Sequence, residues 1–305
     1  MGVTRRRVAL KVDCDTYGGT KNGLPNLIRL FDELKIKATF LFTLGPDTSG
    51  RAVFRVFTQK GFLKKMLRSN AAALYGPKTM LYGTLLPAPM IGKKLGREIH
   101  AVESAGHEVG VHGWDHIRWH DRVGKMPFDK VERDYMNARA EFQRIFGHPA
   151  QSSGAPGWHA CENSLRVQQN CNLLYASDTR GGNPCFPSVN DRVFNVLEIP
   201  TTLPTWDETL GTTGLVDENA FITFYRGLVR GTEVHSIHTE VEATAKLALF
   251  RKQLIAWKTD GVEFVTLEQI AREQLANRGD IPVRALRRIS IPNRGGLVST
   301  TVESA

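Results

Sequence analysis

The sequence predicts an α/β protein built on a parallel sheet, open or closed into a barrel. Three observations carry that prediction. Strand-like and helix-like stretches alternate along most of the 305 residues, the order that βα units produce. The stretch "KATFLFT" (37–43) is a nearly continuous apolar run, as strands covered on both faces are. The residues that carry chemistry, Asp13, Asp15, His112, Asp178 and His238, all fall at predicted strand ends, where such folds build their sites.

The elements follow in order. Arg7 to Val12 reads as the first strand. "LPNLIRLFDELK" is an amphipathic helix with apolar residues at 24, 27, 28, 30, 31 and 34. The strand 37–43 follows, and then residues 47–94 interrupt the alternation as a mainly helical insert. After it come a helix in "REIHAVESAG" and a strand in "HEVGVH". The next helix, "DKVERDYMNARAEFQRIFG", ends at Gly147. A helix over 161–170, strands at "LLYASD" and "FNVLEIP", and a helix near 217–230 continue the rhythm. "EVHSIH", the helix "KLALFRKQLIAWK", "VEFVTL" and a last helix complete it. Residues 1–278 read as one domain. Residues 279–305 lose the pattern and read as a basic tail that need not be fixed to the fold.

Composition sets the class. The chain is 41% hydrophobic and 23% charged, ordinary for a soluble globular protein. Lys11 and Asp13 interrupt any apolar leader, so no signal peptide is expected. No run approaches the ~18 apolar residues of a spanning helix. Cys14, Cys161, Cys171 and Cys185 form no C-x-x-C pair and read as reduced thiols. The net charge of +9 is uneven: Arg51 to Arg97 hold ten Lys/Arg and no Asp/Glu. That asymmetry predicts an anionic partner.

"LKVDCDTYGGT" (10–20) raises a physical question. Asp13 and Asp15 share one face of a strand, and two carboxylates side by side repel unless a proton or a cation is shared. "VHGWDH" sets His112 and His116 four apart, the spacing at which two imidazoles on a helical turn can grip one ion. Two imidazoles and one carboxylate make a set of three protein ligands with a position open for water. Zinc suits these ligand types best; cobalt, nickel and manganese suit them as well. In "EVHSIH", His235 falls opposite His238 and reads as structural.

Asp13-x-Asp15, His112-x-x-x-His116 and the late "SIH" together resemble the polysaccharide deacetylase (NodB-homology) superfamily. The resemblance runs from about residue 7 to about 270. It implies a distorted (β/α) barrel of about seven strands and metal-dependent amide hydrolysis. Asp13 would be the general base, Asp15, His112 and His116 the ligands of one divalent ion, and His238 the general acid. One departure stands out: "SSGAPGW" has Gly154 where the superfamily often carries an Arg that contacts the base. Arg180 in "SDTRG" is expected to supply that guanidinium, and Asp178 to pair with His238.

The insert narrows the match. "GFLKKMLRSNAAALYG" puts Phe62, Leu63, Met66 and Leu67 on one helical face, with Lys64, Lys65 and Arg68 towards the other. Arg51 and Arg55 flank Phe54 nearby. Basic amphipathic segments of this kind suit an anionic membrane surface. "FLKKMLRSNAAALYG", "HGWDH", "SDTRG", "IPTTLPTWDE" and "IHTEVE" resemble the bacterial deformylases of 4-deoxy-4-formamido-L-arabinose-phosphoundecaprenol. That resemblance implies an undecaprenyl-phosphate-linked formamido sugar as substrate, a role in lipid A modification, and a peripheral position on the cytoplasmic side of the inner membrane. The competing reading is a deacetylase of N-acetylated amino sugars or peptidoglycan. A nucleic-acid-binding module is set aside, because it leaves the carboxylates and imidazoles without a task.

Overall fold

In a computed structural model of the chain, residues 5–54, 78–212, 214–215 and 217–302 are described. Strands β1 (Arg7–Cys14), β2 (Thr39–Thr43), β3 (Glu108–Gly113), β4 (Ser152–Ser153) and β5 (Tyr175–Ala176) lie side by side in that order, all parallel. The chain then leaves this sheet through β6 (Arg180–Gly181), β7 (Phe186–Val189) and β8 (Arg192–Val193). It returns as β9 (Leu197–Glu198) beside β5 and as β10 (Thr232–His238) on the far side of β1. β11 (Glu263–Val265) pairs with the first residues of β1. The path β10-β1-β2-β3-β4-β5-β9 is a seven-strand parallel half-barrel. Its two edges meet where Thr202 and Leu203 donate backbone N–H groups to the Val234 carbonyl.

Alternation along β1 divides the interior. Val8, Leu10, Val12 and Cys14 point outward into the main core. There they pack with helices α1 (Tyr17–Leu34), α2 (Ile91–Ser104), α4 (Phe128–Phe146), α6 (Glu218–Leu228) and α7 (Leu247–Thr259). The other helices of seven residues or more among the described residues are α3 (His116–Arg122), α5 (Glu162–Asn170) and α8 (Leu267–Ala276). Ala9, Lys11 and Asp13 point inward. Ala9 joins an apolar plug with Tyr175, Leu197, Val234 and Val265. Above the plug the inward layers turn polar. Lys11 is in register with Ser236, and Asp13 with His238. One strand thus changes from greasy to charged within five residues, and the charged end opens towards the site.

Several boundaries differ from the expectations, each for a physical reason. α1 begins at Tyr17, well before Leu24. Its first turns hold Gly18, Gly19 and Gly23, poor helix formers, but Thr16 caps it by accepting the Gly19 N–H at 3.0 Å. α2 begins at Ile91, so residues 91–94 belong to the helix and not to the insert. α4 ends as expected, with Gly147 in the left-handed region at φ 80°. The tail reading of 279–305 is corrected. β12 (Val283–Ile289) and β13 (Val298–Val302) pair antiparallel and complete a second, five-stranded sheet, β6-β13-β12-β7-β8. The βα rhythm stops there because the chain switches to local strand pairing.

Gly23 tests the packing of α1. In an ordinary helix interior, Gly→Ala stabilises by about 0.5–1 kcal/mol. Here an added Cβ would lie 2.7 Å from the Thr239 carbonyl oxygen and 3.0 Å from Ala243 Cβ. Overpacking costs about 1–3 kcal/mol, so it wins. Gly23→Ala is expected to lower Tm in a thermal melt; an unchanged or raised Tm refutes this contact.

Candidate metal centre

β1 ends one residue before Asp15, so Asp13 and Asp15 leave the strand on the same side. His112 is the penultimate residue of β3, and Gly113, at φ 105°, turns the chain back. Asp115 then caps α3 by accepting the Arg118 N–H at 3.0 Å and is held by the Thr48 hydroxyl at 2.7 Å. His116 is the first residue of α3. The histidine pair is therefore assembled by a strand, a glycine turn and a capped helix, not by one helical face as the spacing suggested.

The three expected ligands converge. His112 Nε2 lies 3.2 Å from Asp15 Oδ1, and His116 Nε2 3.3 Å from Asp15 Oδ2. One donor atom from each residue falls within 4.8 Å of the others. Asp15 Oδ1 is buried without a hydrogen-bond partner, a costly state unless something else occupies it. A divalent cation fits this donor set, and the partial exposure of Asp15 and His116 leaves one side open. Burial alone would raise the Asp15 carboxyl; His116 and His112, with His238 beyond, hold it well below the usual carboxylate range.

Asp13 is held differently. Its Oδ2 accepts the Ser236 hydroxyl at 2.6 Å and lies 3.9 Å from Lys11 Nζ. Its Oδ1 has no hydrogen-bond partner and sits 3.6 Å from His112 Nδ1. His238 is level with Asp13 on the neighbouring strand, and its N–H donates to Glu242 at 2.9 Å. Burial opposes protonation of His238, but Asp15, Asp207, Glu242 and Asp13 push it up to about 9. His235 takes the opposite course. Packed against Tyr225 and Trp257, it is driven by burial down to about 3, as a structural residue would be.

Two expected pairings are corrected. Arg180 donates to Glu208 at 2.7 Å and to the Leu203 carbonyl at 3.2 Å, with its guanidinium over the Trp158 ring. It lies in β6, which pairs with β13 of the second sheet, so the chain has already turned away from Asp13. Asp178 accepts a hydrogen bond from Gln168 Nε2 at 2.6 Å, and the carboxylates around His238 include Asp15, Asp207, Glu242, Asp13 and Glu240. The cation beside Asp13 is Lys11, which the motif reading passed over. Its signal was available: a lysine inside an apolar strand, two residues before Asp13 and hence on the same face. Of the insert residues, Arg51 is exposed and donates to the Gly83 carbonyl at 3.0 Å. Arg55, Phe62, Lys64, Lys65 and Arg68 lie outside the described residues.

With this geometry in place, known proteins can be compared. Residues 2–176 match the polysaccharide deacetylase family model. A Shewanella sediminis protein named "Probable 4-deoxy-4-formamido-L-arabinose-phosphoundecaprenol deformylase ArnD" is 36% identical over 296 residues, covering 96% of this chain and 94% of that protein. A Wigglesworthia glossinidia brevipalpis protein of the same name is 34% identical over 283 residues, covering 92% and 97%. In fold, a solved Mycobacterium smegmatis structure described as a candidate polysaccharide deacetylase aligns with a TM-score of 0.64 at 16% identity. It covers 95% of this chain and 96% of its own.

The division of labour between the two carboxylates can be read by zinc titration of metal-stripped protein. His116→Ala is expected to lose at least about tenfold in affinity, since it removes a direct ligand. Asp13→Asn is expected to bind zinc within a few-fold of the parent. If Asp13→Asn abolishes binding, Asp13 is a ligand and the assignment fails.

Proposed function

Since the chain belongs to the polysaccharide deacetylase family, in the branch that holds the formamido-arabinose-phosphoundecaprenol deformylases, we propose that it hydrolyses the formamide of 4-deoxy-4-formamido-L-arabinose-phosphoundecaprenol. The products would be formate and the free 4-amino sugar lipid, for lipid A modification. The observation that carries the chemistry is the convergence of Asp15, His112 and His116 beside an Asp13 oxygen with no hydrogen-bond partner.

A divalent ion on Asp15, His112 and His116, zinc by ligand type, would supply a water acidified towards pKa ~7 and positive charge for the developing oxyanion. The protein's own groups do the rest. Asp13 is anchored through Oδ2 and keeps Oδ1 free to take the proton of the attacking water. As the C–N bond breaks, the departing nitrogen needs a proton. His238, kept protonated by its carboxylate neighbours, stands level with Asp13 to give it.

The substrate's phosphate and isoprenoid need a cationic and apolar surface. The described part of the insert offers exposed Arg51 and Lys78, and Leu81, Leu85 and Leu86 are exposed beside them, Leu85 at 80%. These support contact with an anionic membrane or with the lipid itself. Among the described residues, no helix is long and apolar enough to cross a membrane. The proposed place is the cytoplasmic side of the inner membrane, held peripherally.

Formate release from the formamido-sugar polyprenyl phosphate is the direct test. Turnover is expected with the protein as purified, to stop on chelation, and to return with added zinc. Asp13→Asn should reduce it by about 10²-fold or more. Preference for the acetylated over the formylated sugar would instead favour a deacetylase of N-acetylated amino sugars.

A further inference from the structure

We propose that Lys11 is the positioning residue for the base: its ammonium, with the Ser236 hydroxyl, fixes Asp13 through Oδ2 so that Oδ1 is presented to the reacting water. The inference rests on the hydrolase reading above and adds to it a residue from inside the barrel.

Lys11 is completely buried. A buried ammonium is retained only where anions and acceptors surround it. Its Nζ donates to the Ser177 carbonyl at 2.8 Å and lies 3.9 Å from Asp13 Oδ2. It also lies near enough to Asp178 and Glu198 to favour their charged forms. Those two carboxyls are nevertheless raised by burial, Glu198 to about 8. Both have protein hydrogen bonds of their own, Asp178 from Gln168 and Glu198 from the N–H groups of Asp178 and Thr179. Asp13 has the Ser236 hydroxyl alone. Among these carboxylates, Asp13 is the one whose orientation depends on Lys11.

Gly154 explains why a lysine can reach this spot. A Cβ there would lie 3.1 Å from Lys11 Cε, 3.1 Å from the Ser177 carbonyl oxygen and 2.5 Å from Leu41 Cδ1. The stem of Lys11 therefore occupies the space that a side chain at 154 would need. The missing cation on β4's exit and the buried cation on β1 are one arrangement: the charge reaches Asp13 from its own strand. The Trp158 ring centroid lies 5.6 Å from Lys11 Nζ, a further contact that favours the ammonium there.

The test compares Lys11→Met, which keeps length and removes charge, with Lys11→Arg, which restores charge. Methionine would leave Glu198 without a cation, so Lys11→Met is also made together with Glu198→Gln. Glutamine keeps the oxygen that accepts the Asp178 and Thr179 N–H groups, and Glu198→Gln alone is expected to retain parental activity. Formate release, KM, zinc affinity by titration and thermal melts are measured on each. The expected result for Lys11→Met, alone or in the pair, is a fall in kcat of at least about tenfold, with KM and zinc affinity within about threefold, and recovery of most of kcat in Lys11→Arg. A folded Lys11→Met protein with parental kcat overturns the inference. So does a folded Lys11→Arg as slow as Lys11→Met, or a kcat loss matched by loss of zinc affinity. If the parent itself releases no formate, the hydrolase reading fails first, which separates the two outcomes.

Discussion

Everything at the open end of this barrel follows from one constraint: charges placed inside a low-dielectric wall must be matched within a few ångströms. β1 and the residue just after it carry Lys11, Asp13 and Asp15 in alternation, all turned to the same side. Asp13 and Asp15 cannot both be ionised there without help. The structure gives each its own solution. Asp13 is neutralised from within by Lys11 and anchored by Ser236. Asp15 is turned to two imidazoles and keeps an oxygen with no hydrogen-bond partner, a donor set that could hold a dication. Separate solutions leave the two carboxylates, two residues apart, in different surroundings.

The fold delivers these partners from distant stretches of sequence. Ser236 and His238 come from β10, more than 220 residues after Asp13, and arrive level with Lys11 and Asp13 through seven consecutive register pairs. His112 arrives two strands away on the other side. Such precision needs a rigid sheet, and the apolar plug of Ala9, Tyr175, Leu197, Val234 and Val265 supplies it one layer below. The close approach of α1 to the 239–243 turn, permitted only by glycine at 19 and 23, fixes the loop that carries His238 forward.

The fold class was legible because period and order are local properties. The cluster of Asp15, His112 and His116 was legible because two carboxylates on one strand face, and two spaced histidines, are strange unless something joins them. What joined Asp13 to its cation was not legible by motif. Lys11 looks like one polar residue in a strand, and its burial shows only when strands β4 and β5 are in place around it. Arg180 misled for the opposite reason. "SDTRG" sits at a strand end, but two residues later the chain has entered another sheet, and Glu208 has taken the guanidinium. The second sheet itself was hidden because its strands are short, and β12 is basic and largely exposed, which reads as a tail.

The acids around the site also sort themselves by what they accept, a distinction no sequence pattern carries. Strand-end loops of a parallel barrel leave backbone N–H groups with no sheet partner, and a buried one must be paired. Glu240 accepts the Thr16 N–H and hydroxyl, Glu242 the His238 N–H, Glu198 those of Asp178 and Thr179, and Asp47 those of Tyr17 and Ser49. Each of these carboxyls is also raised by burial, as expected of groups kept for their oxygens more than for their charge. Among the described residues, Asp13 and Asp15 accept no backbone N–H; like Glu198, Glu240 and Glu242, each also retains a buried oxygen with no hydrogen bond. Carboxylates that tie loops down are architecture, and their unused capacity is incidental. What separates Asp13 and Asp15 from their acidic neighbours is their place beside the imidazoles of His112 and His116 rather than on a loop's backbone.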